Sequence, residues 1–219
     1  MKALGISFDN IHSYDDLDLF VCQDGISIPP AKAKTNYVDI AGGDGSLDLT
    51  EVHGEVKFSD RECEFTFAVN PSSDMTFEEK KTQVSNALNG KQCKIILDKD
   101  DEFYYFGRCS VDEYMQDKML HQIVVTATVQ PYKMKVNETV VSYELTGAEK
   151  TVNIVNSRKS VTPEVTCSKD NIKVVFGGVE KMLSAGTHKI LDFQLKEGAN
   201  TFKLSGSGTI TFKYQEGEL

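Results

Sequence analysis

The stretch Tyr37–Phe67, YVDIAGGDGSLDLTEVHGEVKFSDRECEFTF, decides the fold class. Polar and apolar residues alternate along it with the period of two that belongs to β-strands. Gly42, Gly43 and Gly45 surround Asp44 and supply the positive φ angles that a tight reversal needs. The alternation predicts strands at 33–40, 47–53, 55–59 and 61–69. In the last of these Arg61, Cys63, Phe65, Phe67 and Val69 share one face, and Glu62, Glu64 and Thr66 share the other. That is a half-buried strand.

Outward from this stretch the β pattern continues. The first thirty residues alternate loosely and stop at Pro29-Pro30, which no central strand tolerates. One helix is expected at about residues 77–89. Thr76 and Glu79 make a capping-box pair, Phe77, Val84 and Leu88 a sparse apolar stripe, and Gly90 a stop. Cys93–Leu97 and Phe103–Arg108 flank the charged segment DKDDE, Asp98–Glu102, and read as a hairpin with a solvated tip. HQIVVTATVQ, His121–Gln130, is a further strand. Beyond about Val140 come short strands, VVSYEL, TVNIV, EVTCS, IKVVF, THKILDFQL, NTFKL and TITFKY, broken by turns roughly every ten residues. The expected fold is mainly β with one short helix. An N-terminal β-sandwich or split barrel (residues 1–131) precedes a small galectin-like or jelly-roll sandwich (132–219), with a linker at about 131–138.

Composition narrows the function. The 219 residues carry a net charge of −9. Residues 1–131 hold 12 Lys+Arg against 23 Asp+Glu, a net of −11, whereas 132–219 hold 12 against 10, a net of +2. An acidic first half argues against duplex DNA as a specific partner, because phosphate binding needs clustered cations. Neither an export signal nor a stretch of about 18 apolar residues is present, so no membrane partner is expected. The five cysteines, Cys22, Cys63, Cys93, Cys109 and Cys167, form no CxxC pair, and Cys63 and Cys93 read as small core residues. This suits synthesis in a reducing cytoplasm.

Signals for catalysis are thin. The sequence contains no nucleophile elbow, no HExxH and no Walker A motif. The histidines, His12, His53, His121 and His188, are far apart in the chain. The acidic run from Asp98 lacks the glycine and the terminal glutamate of a calcium loop, since Phe103 and Cys109 stand there. Asp44, Ser46, Asp48 and Glu51 place oxygens at near-alternate positions, a pattern that any one-sided polar strand also shows. No cofactor, no metal and no enzymatic activity are expected.

Five segments in order carry a resemblance. They are SFDNIHSYDDLDLFV (Ser7–Val21), YVDIAGGDGSLDLTE (Tyr37–Glu51), the helix followed by GKQCKIILD and FYYFGR, the strand ending VQPY, and KLSGSGTITFKYQEGEL (Lys203–Leu219). Together they resemble the distal tail proteins of long-tailed bacteriophages and prophages. The resemblance implies a structural hub at the tail tip of the virion, built as a ring, typically of six copies, with N-terminal domains forming the annulus and C-terminal domains projecting outward. Implied partners are other copies of the chain, the tail tube protein, a tail-associated lysin or tip protein and, in many members, a receptor-binding protein. Edge strands would join neighbours head to tail. The residues singled out for that interface are Gly42, Gly43, Asp44, Gly45, Leu47 and Leu49 of the glycine loop, with Phe103, Tyr105 and Arg108 of the hairpin. Within a ring, some excess carboxylates of residues 1–131 would face the lumen and repel DNA. The alternative is a carbohydrate-binding adhesin module acting in host attachment. The absence of Trp weakens it, because the largest surface for stacking on a sugar is missing.

Overall fold

Residues 4–52, 54–70, 74–116 and 121–219 are described by a computed structural model, with backbone alone for 113–116. The chain divides into two compact units, Met1–Lys133 and Met134–Leu219. In the first unit the strands are β1 (Ile6–Phe8), β2 (Ile11–His12), β3 (Leu19–Ser27), β4 (Tyr37–Asp39), β5 (Ser46–Asp48), β6 (Arg61–Val69), β7 (Gln92–Leu97), β8 (Asp100–Gln116) and β9 (His121–Val129), and the helix α1 spans Phe77–Leu88. Seven of the strands make one antiparallel path, β2-β1-β7-β8-β9-β6-β3. Four steps separate β1 from β6, which in a flat sheet is about 19 Å. Yet the Phe8 ring lies 6.0 Å from that of Phe65 and 6.3 Å from that of Phe67, edge on. The sheet therefore curls until its two ends share a core, the split-barrel alternative of the sequence reading.

Alternation explains which residues fill that core. Cys63, Phe65 and Phe67 of β6 face Ile123, Val125 and Ala127 of β9, and Ile95 of β7 and Ile6 of β1 complete the lining. Helix α1 adds Val84 and Leu88. Its start is fixed as expected: the Thr76 hydroxyl accepts from the Glu79 amide, and the Glu79 carboxylate accepts from the Thr76 amide. Lys80, which an apolar-stripe reading leaves in solvent, is completely buried. Its ammonium donates to the Leu17 carbonyl at 3.0 Å, to Gln83 Oε1 at 2.9 Å and to Asp18 Oδ2 at 3.3 Å, so one cation fastens α1 to the start of β3.

Two local expectations change. The hairpin tip is the two residues Asp98-Lys99, and β8 begins at Asp100, opposite Leu97. Asp98 is tied down by the Gly5 amide at 3.0 Å and His12 Nε2 at 3.3 Å, and so is more than a solvated tip. The expected strands at 33–40, 47–53 and 55–59 shrink to β4, β5 and one bridge between Ala33 and Phe58. His53 lies outside the described residues. These segments alternate in sequence, but none of their described residues is fully buried, and without a core face the period of two specifies little strand.

In the second unit β10 (Lys133–Lys135) begins before the division and is followed by β11 (Thr139–Thr146), β12 (Lys150–Asn156), β13 (Glu164–Cys167), β14 (Ile172–Phe176), β15 (Val179–Leu183), β16 (Gly186–Lys189), β17 (Gly198–Ser205), β18 (Ser207–Tyr214) and β19 (Gly217–Glu218). Pairing runs from the outside inward: β11 with β18, β12 with β17, β13 with β16, β14 with β15. A long antiparallel ribbon is thus wound into two sheets, β11-β18-β13-β16 and β12-β17-β14-β15. That is the eight-stranded jelly roll. Between the sheets lie Phe193, Phe202 and Phe212, with Phe176 stacked on Phe202 at 4.2 Å. The run THKILDFQL is strand only as far as Lys189. Phe193 and Leu195 reach the core from a loop anchored by the Val161–Leu195 bridge.

One buried carboxylate pins the edge of this unit. Glu216 Oε1 accepts from Lys135 Nζ at 2.7 Å and Thr139 Oγ1 at 2.6 Å, and Oε2 accepts from Ser157 Oγ at 2.6 Å. Burial opposes its ionisation, but those hydrogen bonds and the Lys135 charge together outweigh burial and hold the carboxyl below the ordinary range. A depressed folded value means that the unfolded chain binds the proton more tightly. The contribution is therefore complete above the unfolded value, about 4.3, and is lost as pH falls through the folded value. Glu216→Gln should cost about 1–3 kcal/mol at neutral pH and flatten the loss of stability below about pH 4.3. Urea midpoints of the two proteins across that range, with amide exchange of β11 as the local readout, check both effects.

Candidate assembly surface

The ribbon of β4 and β5 stands on a short base. Lys34 N–H donates to Lys57 O and Ser59 N–H to Lys32 O, each at 2.8 Å, around the Ala33–Phe58 bridge. Above it Asn36 is bound twice: its N–H donates to Thr50 Oγ1 at 3.0 Å and its carbonyl accepts from Leu49 N–H at 2.8 Å. The strands pair Tyr37 with Asp48, Val38 with Leu47 and Asp39 with Ser46. Directly opposed residues share a face, so Val38 and Leu47 form one side, and Tyr37, Asp39, Ser46 and Asp48 the other. The Ser46 hydroxyl donates to Asp39 Oδ1 at 2.7 Å across the pair.

Every residue from 32 to 48 is exposed. Tyr37 is 59% exposed, Val38 47%, Ile40 53%, Leu47 53% and, beyond the ribbon, Val52 63%. A two-stranded hairpin is at best marginally stable in water, and this one leaves about half of each of these apolar side chains exposed. An arm of this composition is suited to lie against another surface.

The glycine loop sits at its tip. Gly42 and Gly45 both have φ of +77°, with nothing within 4 Å of an added Cβ, so they are required for backbone reasons alone. Gly43 closes a turn on the Ile40 carbonyl, Asp44 is exposed, and Leu49 is half-buried at the base. Gly45→Val should strain the loop by about 1–2 kcal/mol. Amide exchange should rise in peptides of residues 36–50 and stay unchanged in β6 and β9. Unaltered exchange throughout the arm would show that the turn does not need glycine.

The hairpin candidates fare differently. Tyr105 belongs to the core of its own unit, 9% exposed, with the Arg61 guanidinium 5.6 Å from its ring. Expected at the interface, it is instead buried within its own chain. Burial raises its hydroxyl pKa, consistent with that position. Phe103 is half-buried under Lys133 Nζ at 4.0 Å, and Arg108, exposed on the opposite side of β8 from Tyr105, donates to the Gly90 carbonyl. The structure thus keeps Gly42–Leu49 together as one element and separates the hairpin residues from one another. The sequence reading missed Tyr37, Val38, Ile40 and Val52. Their signal was present as apolar residues on both sides of a polar glycine turn.

Each of the three described histidines has its own neighbours. His12 is held by Asp98, His121 stacks on Phe77 at 4.5 Å, and His188 Nε2 lies 2.9 Å from the Ser184 carbonyl. Among the described residues no cluster of three His, Cys, Asp or Glu side chains is arranged to hold a metal ion. The Asp48 and Ser46 oxygens are engaged inside the arm: Ser46 donates to Asp39, and the Thr50 hydroxyl together with the Thr50 amide holds the Asp48 carboxyl below the usual range. No helix is long and apolar enough to cross a membrane.

The chain thus joins a curled sheet bearing an exposed arm to an eight-stranded jelly roll. No protein-family model matches the sequence, and comparison with curated proteins found no match. Among solved structures the chain has the fold of SPP1 Dit (gp 19.1), described as a paradigm of hub adsorption apparatus in Gram-positive infecting phages. The match has a TM-score of 0.67 at 15% identity and covers 98% of this chain and 99% of that one.

Proposed function

We propose that this protein is a distal tail protein, the structural hub of a phage or prophage tail tip, and that it acts by assembly and catalyses no reaction. The observation that carries this reading is the likeness to the SPP1 hub over nearly the full length of both chains, which takes in both units together. A shared jelly roll alone would say little, because that fold serves many functions. The order of units and the exposed arm favour a hub. Residues 1–131 provide the ring-forming part and 132–219 the outward sandwich. Copies join head to tail into a ring, typically a hexamer, in which the arm of one copy lies on its neighbour. Further partners are the tail tube protein on one side and a tail-associated lysin, tip protein or receptor-binding protein on the other. The place of action is the virion tail tip, after synthesis in the host cytoplasm.

Co-expression with the adjacent tail proteins, followed by size exclusion with light scattering and negative-stain imaging, tests this. Closed rings of uniform diameter are expected once a neighbouring tail component is present. A protein that stays monomeric with each neighbour, while binding glycans, would replace the hub by the adhesin reading.

A further inference from the structure

Cys93 and Cys109 lie on adjacent strands, β7 and β8, with their sulfurs 3.3 Å apart, and both are almost wholly buried, at 4% and 1% exposure. All five cysteines are thiols. The other three pack elsewhere: Cys22 beside Gln122, Cys63 on β6, and Cys167 in the second unit. The register explains the approach. Gly107 is opposite Cys93, and Cys109 lies two residues further along on the same face, so a diagonal pair meets where the directly opposed residue has no side chain. One surface concavity reaches the pair: it has about 460 Å³, is lined by Phe8, Asp9, Leu88, Lys91 and Arg108, and opens on Cys93.

We propose that Cys93 and Cys109 form an oxidisable dithiol site that a low-molecular-weight disulfide converts into an intramolecular bond between β7 and β8. The Cys93 thiolate attacks one sulfur of the reagent RSSR, forming a mixed disulfide and releasing RS⁻, which takes up the proton lost by Cys93. The Cys109 sulfur then gives up its proton and attacks Cys93 Sγ, breaking the mixed disulfide and releasing the second RSH. Two protein thiols and one RSSR become one protein disulfide and two RSH, so the two electrons pass to the reagent. Closing the bond brings the sulfurs from 3.3 Å to about 2.05 Å, a shift of little more than 1 Å. The roles follow from access: Cys93 lines the 460 Å³ concavity and is the more exposed sulfur, 4% against 1%, and the hydrogen bond between the two holds its thiol below the ordinary value while that bond and burial raise Cys109. Cys93 is thereby the attacking sulfur and Cys109 the resolving one.

The test uses the full chain, purified reduced and incubated with oxidised glutathione. After quenching and denaturation, titratable thiols should fall from the five in the sequence to three. The intact mass should drop by about 2 Da, the loss of two hydrogens. A non-reducing peptide map should link Cys93 to Cys109, and Cys22→Ser should leave that link unchanged. Cys109→Ala should stop at a glutathione adduct on Cys93. Retention of all five thiols, a bond joining a different pair, or a lasting adduct on Cys93 beside a reduced Cys109 in the unaltered protein would overturn the proposal.

Discussion

Lys80→Ala should destabilise the first unit by about 2–5 kcal/mol, the range for emptying the site of a fully buried long side chain and leaving its hydrogen-bond acceptor unpaired. This is a large share of the 5–15 kcal/mol by which a typical protein is stable. The ammonium has no solvent exposure, and it is satisfied by a carbonyl, an amide oxygen and a half-exposed carboxylate. Alanine empties that volume and strips the Leu17 carbonyl of its donor. Lys80→Met separates the two effects. It keeps most of the volume and should cost only the unpaired carbonyl, about 1–3 kcal/mol. With no Trp in the chain, far-UV circular dichroism in urea is the suitable measurement, supported by amide exchange of residues 77–88. If Lys80→Ala costs less than about 1 kcal/mol, the helix is held by Val84 and Leu88 alone, and the cation is a passenger.

The double change Val38→Asp with Leu47→Asp should abolish assembly and leave the fold intact. These two residues face each other across the arm and touch no core, so surface bookkeeping predicts a stability change within about 0.5 kcal/mol. Against a partner the same residues would be buried, and placing a carboxylate there leaves an unpaired charge. A penalty of about 3 kcal/mol per contact is a factor of more than 100 in affinity, repeated at every interface of a ring. Under the proposed hub role, light scattering of the variant co-expressed with neighbouring tail proteins should show monomers in place of the rings expected of the parent. Rings formed at parental yield would mean that the arm serves some other contact.

Legibility in the sequence followed locality. The face of β6, the capping box of α1 and the turn-punctuated strands of the second unit could all be read because each depends on residues within one element. The curl of the first sheet could not, since it rests on Phe8 meeting Phe65 across four strand steps. Lys80 was invisible for a different reason: a lysine in a polar helix reads as solvated until a carbonyl 63 positions away is seen to receive it. Phe193 and Leu195 looked like strand because apolar runs do, although a loop can deliver them equally well to the core. Tyr105 was the avoidable miss. It shares parity along β8 with Gly107 and Cys109, which marks the inward face. The glycine loop itself was readable from Gly42 and Gly45, whereas the apolar pair behind it became meaningful only when nothing was found covering it.

The winding of the second unit also sets when it can form. Thr139 hydrogen-bonds in register with Tyr214, and the same β18 holds β13. Neither sheet can close while those late residues are still inside the ribosome. Contacts of such long sequence separation fold slowly. During translation the curled sheet can therefore be complete, with its arm exposed, while the jelly roll that follows it in the chain is still unfolded.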